Sequence, residues 1–135
     1  MGVFSERAPA PVGAYCHAKR VGDLLFLSGL GPRKRGSTTI PGVEQDAAGA
    51  VISYDIAVQC HSVFENLRTV LEDAGSSLEK VVDVTVFLTD MKRDFKTFNA
   101  IWAEYFGVIQ PCRTTIEVGS LPTPIAVEFK VIATA

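Results

Sequence analysis

Cysteine and histidine are scarce in this chain. The three cysteines, Cys16, Cys60 and Cys112, are odd in number and widely spaced, with no CxxC pair. Neither a disulfide framework nor a zinc site is indicated, and a reducing cytoplasmic compartment is expected. The only histidines are His17 and His61, and there is no HExxH, so a metal site has no support. No apolar run approaches the roughly 18 residues of a membrane span. The opening MGVFSERAPAPVG lacks the apolar core of a signal peptide. Excess positive charge is missing too. The net charge is -2, without the basic face of a nucleic-acid binder. Arg33, Lys34 and Arg35 form the one basic cluster, and among glycine, serine and threonine they read as a solvated loop. No membrane or nucleic-acid partner is expected.

Against these absences stand a hydrophobic fraction of 47% and a charged fraction of 21%, ordinary for a globular protein. The length of 135 residues fits one domain spanning 1–135, with no repeat or linker to divide it. Residues 24–29 (LLFLSG) form a short apolar run ending at glycine and read as a strand. Residues 31–49 read as a long loop with room for a short strand. Over 54–74, Ile56, Cys60, Val63, Phe64, Leu67, Val70, Leu71 and Ala74 recur at helical steps, with Gly75 as the stop. Gln59, Glu65, Arg68 and Glu72 fall on the other side of this helix, and His61 lies off its apolar stripe. Residues 81–89 (VVDVTVFLT) are β-branched and predict a strand. Residues 94–106 predict a second helix with an aromatic side, and 113–118 and 126–133 predict two further strands. Two helices cannot cover both faces of such a sheet. The expectation is a two-layer α+β domain with both helices on one face.

Side chains alternate across a strand, which sorts these residues by face. Val82, Val84, Val86 and Leu88 share one face, while Asp83, Thr85, Phe87 and Thr89 share the other. Val127, Phe129 and Val131 oppose Glu128 and Lys130. Ile116 and Val118 oppose Arg113, Thr115 and Glu117. With the helices on the Val/Ile/Leu side, Arg113 and Glu128 fall together on a mixed second face. Such a face fits a solvated sheet as well as a subunit interface holding a site.

If 119–124 turned a hairpin with Val118 opposite Ile125, Thr115 would face Glu128 and Arg113 would be its diagonal neighbour. Diagonal neighbours lie roughly 7–8 Å apart, room for a small acid. The arginine fork binds a carboxylate through two parallel hydrogen bonds. A partly buried glutamate has its pKa raised toward the range of a general base, here one that activates water. On parity alone a structural ion pair, or two separately solvated groups, is the favoured reading. Pro122 and Pro124 weigh against a tight hairpin.

At these residues the sequence resembles the Rid family, the reactive-intermediate deaminases that hydrolyse 2-imino and 2-enamino acids. The resemblance is strongest in Pro111-Cys112-Arg113-Thr114-Thr115-Ile116-Glu117-Val118, followed by Leu121 and Val127-Glu128-Phe129. It extends to Gly13-Ala14-Tyr15, Ser28-Gly29, Phe87-Leu88-Thr89-Asp90 and Asn99. It implies a chorismate-mutase-like α+β fold, a homotrimer with sites between subunits, and no cofactor. By this resemblance Arg113 holds the substrate carboxylate and Glu128 the attacking water. Tyr15, Ser28, Gly29, Phe87 and Asn99 shape the pocket, and backbone groups near Cys112 and Thr115 add hydrogen bonds.

The chain departs from the commonest members at Leu30, where they carry glutamine, at Thr115, where a cysteine is frequent, and in its longer 31–49 loop. That loop resembles the 2-aminomuconate deaminase branch, which acts in bacterial breakdown of aromatic compounds. 2-Aminomuconate has two carboxylates, and the basic triplet or His17 is a candidate for the second. The alternatives are a generic 2-iminobutanoate/2-iminopropanoate deaminase and a non-enzymatic chaperone-like or RNA-interacting trimer. No histidine lies near Cys112 in sequence, so a cysteine hydrolase is not indicated.

Overall fold

The computed structural model describes residues 2–135. Its strands and helices run β1 (Gly2–Val3), β2 (Ala18–Val21), β3 (Leu24–Leu27), β4 (Val43–Gln45), β5 (Val51–Tyr54), α1 (Ile56–Asp73), β6 (Val81–Leu88), α2 (Met91–Phe106), β7 (Cys112–Glu117) and β8 (Val127–Thr134). A 3-10 turn at Leu78–Lys80 leads into β6. Six strands form one sheet in the order β1-β2-β3-β8-β6-β7, while β4 and β5 form a separate hairpin within the long loop region. Only β6 and β7 are parallel, joined by α2 as crossover. This is a two-layer α+β fold with both helices on one face, as the strand and helix periodicities predict.

Helix α1 begins at Ile56, two residues after the sequence-based start, and is capped by Asp55, whose carboxylate accepts from the Val58 amide. It ends in a Schellman-type turn. Ser76 N–H donates to the Leu71 carbonyl, and Gly75 adopts φ +81°, a conformation that costs glycine little. Asp90 caps α2 in the same way as Asp55 caps α1, through the Arg93 amide. The buried stripes of both helices meet β6 and β8 around an aromatic cluster. Phe64 stacks on Tyr105 at 4.0 Å and meets Phe129 edge-on at 5.1 Å, and Phe129 also meets Phe98 and Trp102. Each fully buried side chain such as Phe129 or Leu67 contributes about 1.5–3 kcal/mol.

The structure departs from three sequence expectations. First, β7 and β8 do not form a hairpin. Both pair with β6, from opposite sides, so β6 lies between Arg113 and Glu128. Second, Arg113 and Thr115 are in register with Val84 and Val86, which puts them on the helix side of the sheet. Glu128 is directly opposite Phe87 and lies on the open side. Alternation shows which residues share a face. In an edge strand such as β7 it does not show which face is the core, and here the apolar Ile116 points outward at 40% exposure. Third, Val82 is exposed, because the β6–β8 register shifts between Val81 and Asp83 and breaks the alternation there.

Polar residues on α1 also depart from expectation. Gln59, assigned to the solvent side by its spacing, is fully buried. Its Oε1 accepts from the Ala126 amide at 2.8 Å, and its Nε2 reaches the Gly42 carbonyl. His61 is exposed as expected and pairs with the Tyr105 hydroxyl. No helix among the described residues is long and apolar enough to cross a membrane.

Candidate active site

Arg113 enters the site from the edge strand β7 and lies against α2. One of its terminal nitrogens donates to Asn99 Oδ1 at 2.9 Å. Its guanidinium carbon is 5.0 Å from the ring centre of Trp102, 5.2 Å from Phe98 and 5.8 Å from Phe95. These three rings and Asn99 lie on one side of α2, so a single helical stripe fixes the cation's position. Burial against the rings lowers the Arg113 pKa from its usual value, and no carboxylate offsets this. Thr115 is half-buried on the same side of β7. Cys112 lies exposed at the strand start, beside Asp83 on the open side.

Glu128 projects from the open face of the central strand β8. It borders a cavity of about 130 Å³ with Tyr15, Gly29, Arg33, Thr123 and Ile125. A Cβ on residue 29 would stand 2.7 Å from Glu128 Oε2, so the glycine is what lets the carboxylate lie against the backbone. Burial raises the Glu128 pKa, and the nearby positive charge of Arg33 opposes the rise. Ser28 is tied by its hydroxyl to the Cys16 carbonyl at 2.6 Å, and the Tyr15 hydroxyl accepts from the Val12 amide. Phe87 flanks Glu128 across the strand pair.

The residues expected at the site therefore fall into two groups on one chain. Tyr15, Ser28, Gly29 and Phe87 gather around Glu128, while Asn99 and Thr115 lie on the side of Arg113. The ion pairs among the described residues are Arg7 with Glu72 and Asp73, Arg20 with Asp23, Lys34 with Glu65, and Arg93 with Asp94. Arg113 and Glu128 belong to none, which removes the structural ion-pair reading within one chain.

His17 is buried and has both ring nitrogens engaged. Nδ1 accepts from the Ser5 amide at 3.0 Å, and Nε2 lies 2.7 Å from the Pro9 carbonyl, to which it donates as Nε2–H. It anchors the N-terminal segment and has no ring nitrogen left for a substrate. The basic triplet is likewise more than a solvated loop. Lys34 pairs with Glu65, and Arg35 binds the carbonyls of Ala8 and Ser5.

Arg33 lies at the rim of the Glu128 cavity, and the sequence singled it out only as one of three basic residues that were candidates for a second carboxylate. Its position within the basic triplet was the only signal for it. A larger hollow of about 410 Å³ lies under the 119–126 connection, but its Tyr54 and Gln59 side chains are committed to Asp94 and to backbone groups. Among the described residues no histidine, cysteine or acidic cluster is placed to hold a metal ion.

An α+β sheet with a carboxylate pocket on one face and an aromatic-backed arginine at its edge is the frame onto which known proteins map. The family described as Endoribonuclease L-PSP matches residues 5–135, and the chain belongs to it. This is the family that includes the reactive intermediate deaminases. The chain is 37% identical to a RutC family protein of Pyrococcus abyssi, covering 97% of this chain and 94% of that one. It is 36% identical to Reactive Intermediate Deaminase A, chloroplastic, of Arabidopsis thaliana, covering 98% of this chain and 64% of that longer protein. Among solved structures it superposes on Escherichia coli TdcF with bound serine. The TM-score is 0.84 at 27% identity, covering 100% of this chain and 98% of the other.

Proposed function

We propose that the protein is a cofactor-independent deaminase of 2-aminomuconate, with Arg113 of one subunit and Glu128 of another completing each site in a homotrimer. The observation that carries this reading is the separation of two unpaired, partly buried charges onto opposite faces of one chain. A small acid can bridge them only where two copies meet. The serine bound to TdcF supports the choice of a substrate with a carboxylate next to a carbon bearing nitrogen.

In the proposed reaction the enamine tautomerises to an imine, whose carbon is electrophilic once its nitrogen is protonated. Arg113 holds the adjacent carboxylate and so orients that carbon. Glu128 removes a proton from water as the oxygen adds to the carbon, and the C=N pair shifts to nitrogen. The protonated Glu128 returns its proton to nitrogen, the C–N bond breaks as the oxygen lone pair forms the C=O bond, and the hydroxyl proton passes back to Glu128 and from there to solvent or the departing ammonia. Ammonia leaves and the product is 4-oxalocrotonate. A raised pKa lets one carboxyl group act as base and then as acid.

The test is ammonia release by the purified protein from enzymatically generated 2-aminomuconate, compared with 2-iminobutanoate and 2-iminopropanoate. Preference for 2-aminomuconate is expected, and preference for the shorter imines moves the protein to the generic deaminases. Arg113→Ala should lower kcat/KM by about 100-fold or more with the fold intact, and Glu128→Gln should lower kcat on the order of 100-fold or more. Full activity in either variant removes the assignment. The family description names a ribonuclease, so RNA is the control substrate. RNA cleavage that survives both variants supports that reading instead.

A further inference from the structure

The three cations of the 33–35 loop face three different tasks. Lys34 is closed on Glu65 at 2.7 Å, and Arg35 is bound to two carbonyls. Arg33 makes one hydrogen bond, from a terminal nitrogen to the Ala10 carbonyl at 3.0 Å. Its remaining guanidinium donors have no partner among the described residues.

Helix α1 fixes the backbone that carries Arg33. Ser62 donates to the Pro32 carbonyl at 2.8 Å, and Asn66 donates to the carbonyls of Gly31 and Arg33, each at 2.8 Å. Ser62 and Asn66 are themselves buried, as is Pro32. The arginine is therefore mounted on a rigid base, with less conformational entropy to lose on binding.

Its guanidinium borders the same cavity as Glu128 and Gly29, yet it does not close into an ion pair with Glu128. A cation with spare planar donors, not closed onto the one acid that lines the cavity, is suited to an anion that arrives from outside.

We infer that Arg33 is the specificity-determining residue of this site, binding a second carboxylate on the substrate distal to the carbon that reacts over Glu128. The inference rests on the deaminase reading above and assigns its substrate class as dicarboxylates. A dicarboxylate would then run from Arg113 of one subunit, past Glu128, to Arg33.

The test separates binding from chemistry by using unreactive acids. Muconate and sorbate share a six-carbon diene skeleton and carry two and one carboxylates. Calorimetric titration of the intact protein should show tighter binding of muconate, by about 10-fold or more. Arg33→Ala should abolish that preference while leaving sorbate binding within about 3-fold. Arg33→Lys should keep part of it, and Lys34→Ala should keep all of it.

Equal affinity of the unaltered protein for the two acids, or a preference that survives Arg33→Ala, overturns the inference. Loss of the preference in Lys34→Ala also overturns it, because the effect then belongs to the loop as a whole. The deaminase reading is judged separately, by ammonia release from 2-iminopropanoate. That substrate has no distal carboxylate, so its turnover by the unaltered protein reports the chemistry without drawing on the contact proposed for Arg33.

Discussion

Arg113 and Glu128 occupy opposite faces of the same sheet, separated by β6. Arg113 is in register with Val84 on the helix side, and Glu128 is opposite Phe87 on the open side. If two copies must meet to form a site, two defective copies can repair each other. Mixing Arg113→Ala with Glu128→Gln, followed by unfolding and refolding together, should restore about a quarter of the unaltered activity, because random assembly pairs intact halves at that frequency. Each variant alone should stay inactive. No recovery in verified mixed oligomers would show that the two residues act from one chain.

Activity should also report the state of Glu128. Burial raises its pKa above the ordinary glutamate value, and the proposed attack by water needs the base form. The rate should rise with pH through that elevated value and then level off. Replacing Arg33 by alanine removes the opposing positive charge and should move the rising limb further up. A profile of kcat against pH whose limb sits at or below the ordinary glutamate value contradicts a desolvated base.

Gly29→Ala offers a probe that replaces no charged group. The added Cβ would meet Glu128 Oε2 at 2.7 Å, and the carboxylate, as the far end of a flexible side chain, can swing away. Stability should change by less than about 1 kcal/mol, since no core contact is lost. Turnover should fall on the order of 10- to 100-fold, because the base is displaced by about an ångström. Thermal melting and steady-state kinetics on one preparation distinguish this from general unfolding.

Stability should hinge on a pair remote from the chemistry. The Tyr54 hydroxyl donates to Asp94 Oδ2 at 2.6 Å, joining the end of β5 to α2, and Asp94 is fully buried. Burial and this carboxylate together push the Tyr54 hydroxyl up to about 12. The other oxygen, Asp94 Oδ1, has no hydrogen-bond partner. Tyr54→Phe should cost about 1.5–3 kcal/mol at neutral pH, the range for a hydrogen bond to a charged group.

The Asp94 pKa is raised in the folded protein, mainly by burial, so the folded state binds more protons than the unfolded one between the two pKa values. Ionisation of Asp94 thus lowers stability as pH rises. The deficit of Tyr54→Phe should shrink as pH falls through the raised pKa. Denaturant melts at several pH values give the measurement, and a deficit independent of pH would remove Asp94 from the explanation.

Much of the fold was legible because it follows from periodicity. The stripe from Ile56 to Leu71 and the β-branched run of β6 each dictate one element, and Gly75 marks a stop with a conformational reason. Pairing order was not legible. Period-two alternation is local, whereas the choice between β7 against β8 and β7 against β6 depends on where the α2 crossover returns the chain.

The candidate site was legible in residue identity but not in placement. Arg113 looked like a companion of Glu128 because Ile116 resembled a core residue. The roles of His17 and Arg35 depend on carbonyls distant in sequence, at Pro9, Ala8 and Ser5, which no spacing rule reveals. Gln59 and Asn66 escaped for the same reason. Polar side chains on an amphipathic helix read as solvated until the backbone they bind is in view.

The position of β8 has a consequence for how the chain reaches this state. As the last strand in order, it sits in the sheet between β3 and β6, and β3 has no other neighbour on that side. The unit β6-α2-β7 can form from contiguous chain, with Arg113 already against its rings. The strands β1 to β3 cannot join it until β8 arrives to bridge them. During synthesis the two parts of the sheet wait with open edges, and contacts this distant in sequence favour slow closure. The pocket around Glu128, drawn from both ends of the chain, should be the last to take shape, and a chain interrupted before Val127 would carry Arg113 without Glu128.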